Sequence, residues 1–179
     1  MNRAPRLLPA VALAFSAGVA LVLGIAALAE PTRPAGPDVE DAAAVSRATV
    51  VFSDDLADAA IAVYDSAAPR IYLHRRLIAQ MGPALGAFLL AHEQGHLAYH
   101  HDRRHGFGLQ SSTATRTLWA YEFAADCYAA QHLSQSRPDA VVAAVRFFQR
   151  RATLPTDADH PPMGERAAHM LACLASADR

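Results

Sequence analysis

Lysine is missing from this sequence altogether: all 16 basic residues are arginine. With the abundant alanine this reads as a GC-rich coding bias and carries no functional information. An excess of positive charge is missing as well. The formal net charge is −1 at pH 7, which argues against a generic nucleic-acid binder and predicts no nucleic-acid partner. Cysteine is scarce, with only Cys127 and Cys173. The fold therefore does not rest on a disulfide framework. At 179 residues and 53% apolar composition the chain buries a modest core without one. The two thiols could pair in an oxidising compartment or sit as small buried groups; the sequence leaves their separation open. No internal repeat is visible, and the length is one domain's worth once a leader is allowed for.

That leader is the first positive feature. "MNRAPR" is a short basic region, residues 7–29 are an apolar run, and "ALAEP" offers an A-x-A site ending at Ala29. Residues 1–29 are expected to be a signal peptide cleaved before Glu30, or an N-terminal anchor. The run is long enough to span a bilayer if it stays attached, giving membrane association through residues 7–29. A buried N-terminal helix is the third alternative. The first two place the domain outside the cytoplasm, periplasmic or secreted, because Arg3 and Arg6 stay inside. Residues 30–46 are rich in proline, acid and alanine and read as a flexible tether. The domain is then 47–179.

Its first part reads as strand. "ATVVFS", "AAIAVYD" and "RIYLHR" are β-branched and apolar, and the last alternates Ile71 and Leu73 against Tyr72 and His74. With a hairpin turn at 66–69, these predict a small, mostly antiparallel sheet of three strands. "LIAQM" reads as a helical turn before Gly82-Pro83. From Pro83 the spacing of Leu85, Phe88, Leu89, His92 and His96 predicts a helix to about His101. Further helices are expected over about 113–135, 138–152 and 162–176. The fold class is α+β, the sheet packed on a helical core.

Within "AHEQGHLAYHHDRRHG" lies HExxH: His92, Glu93 and His96. Residues four apart share a helix face, so both rings can converge on one ion. Glu93 lies about 100° round from His92 and reaches past the metal to a water, whose proton it takes as the water attacks a carbonyl. Catalytic zinc takes three protein ligands and keeps an open position, so a third must be found. The metzincin route would place glycine at 99 and histidine at 102, where Tyr99 and Asp102 stand. "YEFAADCYAA" offers Glu122 and Asp126, four apart on one face. Trp119, Tyr121, Phe123, Ala124 and Ala125 make that segment apolar nearly all round, and a carboxylate there wants a buried partner. Glu122 can ligate, and Asp126 can accept a hydrogen bond from a ligating histidine.

HEQGH, then "EFAAD", then "HPPMGER" resembles the gluzincin metallopeptidases of the HtpX and CAAX prenyl endopeptidase type, over about 49–174. The resemblance implies one zinc ion per chain on His92, His96 and Glu122, Glu93 as general base and a supporting Asp126. It also implies a His-Pro…Arg segment near the metal, here His160, Pro161 and Arg166, and His160 and Arg166 are accordingly counted with Glu93 as catalytic. The chain has one apolar segment where the integral-membrane members have several, which speaks against membrane-embedded substrates. The ImmA/IrrE-type peptidases share a similar helix and are the lesser match.

Of the remaining histidines, His100 continues the i+4 row a turn beyond the ion and reads as a packing or supporting ring. His101 and His105, beside Asp102, Arg103 and Arg104, read as solvated. His74 reads as structural, although an exposed strand edge beside the metal would let an extended peptide add to it. The expected function is an exported zinc metalloendopeptidase acting on extended or unfolded polypeptide, with extracytoplasmic protein quality control as one setting. The alternatives are a peptidase or amidase of narrow specificity and a non-catalytic, zinc-stabilised binding module. The oligomeric state is open.

Overall fold

The computed structural model describes residues 39–64, 67–101 and 112–177. The expected leader, the head of the expected tether, residues 65–66, the run 102–111, with Asp102 and His105, and residues 178–179 lie outside them. None of the helices described is long and apolar enough to cross a membrane.

The order of elements is α1 (Val39–Arg47), β1 (Thr49–Ser53), β2 (Ala60–Val63), β3 (Arg70–His74), α2 (Arg75–Ala98), α3 (Ser112–Leu133), α4 (Pro138–Arg150) and α5 (Met163–Ala177). The class is α+β. The three strands lie where the β-branched runs predict, but their arrangement is mixed: β3 sits in the middle, antiparallel to β2 and parallel to β1. Residues 54–59 carry the chain from one outer strand to the other across the end of β3, which is only two inter-strand spacings, about 10 Å. Ile71 and Leu73 are buried, as their alternation predicts.

Residues 39–46, expected in the tether, form most of α1 instead. Its Ala44 is buried, Val45 packs on the sheet-side core, and the helix lies against α2. Alanine's helix propensity and two small apolar contacts outweigh the acidic and proline-rich surroundings.

The central element is α2. Gly82, with φ 82° and ψ 168°, breaks its helical path, and Pro83 starts the second segment. One side of that segment faces the sheet, where Ala60, Ile71, Leu73 and Leu97 form a small core. The other side meets α3 and α4, on which α5 packs, in a larger core built round Leu85, Phe88, Ala91, Ala129, Phe148 and Met170. Phe88 is fully buried and meets Phe148 edge-on, centroids 6.3 Å apart. Burying such a side chain stabilises the fold by roughly 1.5–3 kcal/mol.

Two features hold the helices in register. A β-carbon on Gly95 would lie 2.9 Å from the Cα of Ala125, so the glycine between the two histidines lets α3 approach at backbone contact. Cys127 and Cys173 are paired, with Cα atoms 5.8 Å apart, tying α3 to α5.

Candidate metal centre

Six polar or charged side chains are buried among the described residues: His92, Glu93, His96, Glu122, Asp126 and Arg166. All six belong to one cluster. The second segment of α2 supplies the HExxH residues, α3 supplies Glu122 and Asp126 one turn apart, and α5 supplies Arg166.

The three expected ligands meet. His92 Nε2 and His96 Nε2 lie 3.0 Å apart. Glu122 Oε2 is 3.3 Å from the first and Oε1 is 3.3 Å from the second. Three atoms held about 2.0–2.2 Å from a tetrahedral ion lie about 3.3–3.6 Å from one another; the two contacts to Glu122 fall in that range and the two rings stand closer, so the trio is near enough to share one ion. The charges agree. Three buried carboxylates face one buried guanidinium, an excess of two negative charges that a divalent ion cancels.

Behind the ligands runs a hydrogen-bonded chain. His92 Nδ1 donates to Asp126 Oδ1 at 2.9 Å, which leaves Nε2 free to ligate. Arg166 clamps Asp126 from the far side, Nε on Oδ2 at 2.8 Å and a terminal nitrogen on Oδ1 at 2.7 Å. The same nitrogen lies 3.4 Å from Glu122 Oε2, and the guanidinium stacks on Phe148. Arg166 therefore sits behind the ligands and is not among the residues lining the cavity. In this position it pairs with Asp126 and holds that carboxylate ionised.

Burial works against charge throughout the cluster, and the partners override it. For His92, the Asp126 hydrogen bond and then Glu122 raise the pKa from 6.5 to about 10. For Glu122, burial opposes ionisation but His92 and His96 hold it well below the usual carboxylate range. For Asp126, burial is outweighed by Arg166 and then by His92, and its pKa falls too. Without an ion, a proton on His92 does part of the ion's electrostatic work.

The cavity in front is lined by Ala60, Ala62, His92, Glu93, His96, His101, Glu122 and His160. Glu93 is placed with the ligands, as its step round the helix predicts. His160 enters from the loop before α5, its Nδ1 donating to Asp157 Oδ1 at 2.7 Å, while its backbone N–H donates to the same oxygen. Asp157 escapes a sequence reading, although an aspartate three residues before a histidine in a tight loop is a usable signal.

Of the other histidines, His100 keeps the packing role expected of it and His101 changes. His100 leaves the i+4 row because the helix ends at Ala98; it is exposed and its ring packs on Tyr64. His101, read as solvated, instead turns inward, with Nδ1 3.2 Å from His96 Nδ1 and its ring stacked on Tyr121. Partial burial and then the neighbouring His96 push its pKa down to about 3, so the ring is neutral.

His74 lies on the central strand, so among the described residues the sheet edge beside the site is that of β2. The bond from His74 N–H to Ala59 O marks 59/74 as a hydrogen-bonded pair. By alternation, Ile61 and Val63 turn their backbone groups toward β3, while Ala60 and Ala62 turn theirs outward. Ala60 and Ala62 are also the two strand residues that line the cavity.

Compared with known proteins, the chain matches no family model, no curated protein and no solved structure.

Proposed function

We propose that this chain is a zinc-dependent metalloendopeptidase of gluzincin type, acting on extended polypeptide outside the cytoplasm. The observation that carries the reading is the meeting of His92, His96 and Glu122, close enough to share one ion, in a cavity that also holds Glu93. A purely structural ion has its shell closed by protein and needs no carboxylate base.

A zinc ion in that trio supplies Lewis acidity to a water and to the scissile carbonyl. The residues do the rest. Glu93 takes the proton of the attacking water and returns it to the leaving amine. Asp126, held by Arg166, keeps His92 in the ligating tautomer. Asp157 holds the His160 ring by Nδ1, and in its protonated form the ring would offer Nε2–H to the oxyanion that develops on the carbonyl. The substrate backbone pairs with the outward groups of Ala60 and Ala62, adding a strand to that edge of β2. Extended polypeptide is the class this edge suits. The paired cysteines and the A-x-A leader support an oxidising compartment.

The test is metal content together with hydrolysis of unfolded casein. We expect about one zinc per chain and cleavage that a chelator abolishes and zinc restores. Stoichiometric zinc without hydrolysis of any unfolded protein would reduce the site to a structural staple.

A further inference from the structure

His100 is the single non-glycine residue with positive φ among the described residues, at 52°. A residue carrying a β-carbon adopts that left-handed backbone only when the surroundings impose it. Here it closes the end of α2. The N–H of His100 donates to Leu97 O at 3.2 Å, and that of His101 donates to His96 O at 2.9 Å, the paired bonds of a helix-ending Schellman motif. The turn has a product besides termination. It folds His101 back beneath His96, so their Nδ1 atoms lie 3.2 Å apart. The His101 ring then stacks on Tyr121, centroids 4.1 Å apart and planes at 16°. Tyr121 immediately precedes Glu122. One ring thus spans the two helices that carry the ligand trio.

A histidine that ligates through Nε2 carries its proton on Nδ1, and that proton needs an acceptor. His92 has Asp126. Among the described residues, His96 Nδ1 meets His101 Nδ1. We propose that His101 is the positioning residue of His96: its unprotonated Nδ1 accepts the His96 Nδ1–H and so keeps the His96 Nε2 lone pair aimed at the ion. The proposal rests on the metal reading above. It gives the site two unlike supports, a carboxylate behind one imidazole and a neutral imidazole behind the other. His96 is then the less electron-rich ligand, which leaves more Lewis acidity on the ion than two carboxylate supports would.

The competing role for His101 is packing on Tyr121, and two substitutions separate the two. His101→Phe keeps an aromatic ring on Tyr121 and removes the acceptor. His101→Asn places an amide oxygen where the histidine places Nδ1 and removes the ring. Metal-free wild type and both variants are titrated with zinc in competition with a chromophoric chelator. The phenylalanine variant should lose roughly 10–100-fold in zinc affinity, and the asparagine variant should stay within about threefold of wild type. Wild-type affinity in the phenylalanine variant overturns the proposal. So does a loss in the asparagine variant as large as that expected for phenylalanine, and this arm decides even if the phenylalanine variant fails to fold. A wild type that takes up no zinc is a different result: it removes the metal reading, and this assignment with it.

Discussion

Arg166 and Asp126 form a two-pronged, buried ion pair forty residues apart in sequence, and Asp126 Oδ1 also accepts from His92. Removing one member leaves the other charge buried and unpaired. Arg166→Ala is expected to cost about 3–5 kcal/mol of stability, read by chemical denaturation of the metal-free protein. A side chain that instead touched substrate would change KM and leave the denaturation midpoint where it was.

Glu93 and Glu122 separate base from ligand. Glu93→Gln should keep zinc and melting temperature while activity drops by roughly 10²-fold or more. Glu122→Ala should lose zinc, and with it activity and the stabilisation that a bound ion confers. Full zinc occupancy in Glu122→Ala would move the third ligand elsewhere.

His160 touches Asp157 and the cavity and contributes little to the core. His160→Ala should lower kcat by roughly 10²-fold, as loss of one oxyanion donor does, with zinc content and melting temperature unchanged. Unaltered kinetics would return it to the role of a loop residue.

Gly95 stands at backbone contact with Ala125. A methyl group there must push α3 away, and α3 carries Glu122. Gly95→Ala should destabilise by about 1–3 kcal/mol and weaken zinc binding in the same variant, although no ligand has been altered. Wild-type affinity would mean that the helices separate without disturbing the trio.

The raised pKa of His92 predicts a pH dependence. In the metal-free protein the ring holds its proton to about pH 10, against 6.5 for an ordinary histidine. A raised folded-state pKa adds stability that is complete below 6.5 and fades as the pH climbs toward 10. The ion displaces that proton, so the loaded protein does not share the loss. The gap in melting temperature between zinc-loaded and metal-free protein should therefore widen from pH 6.5 to about 8.5. A gap that stays constant would show that proton and ion do not compete for His92.

Much of this was legible in the residues. Three strands and four helices follow from periodicity and from the proline and glycine positions, and the His92–His96 pair from a spacing of four. Glu122 stood out because a lone carboxylate in so apolar a helix is costly unless something buried meets it. What stayed hidden depends on tertiary contact. The direction of β1 follows from which strand β3 chooses as neighbour, and no local pattern encodes that. The helix at 39–47 is held by Ala44 and Val45 meeting surfaces far along the chain. His101 looked solvated because it lies in a charged run, and only the left-handed turn at His100 redirects it. Arg166 could be placed near the metal but not in front of or behind it, because that depends on how α5 is rotated.

The Cys127–Cys173 bond lies next to Asp126 on α3 and two turns beyond Arg166 on α5. Local opening of a helix is a normal excursion of a folded protein. When α5 lifts here, Arg166 stays tethered within reach of Asp126, at an effective concentration on the order of millimolar. The oxidised chain thus keeps a memory of its metal cage through each excursion. A reduced chain would have to find α5 again by search.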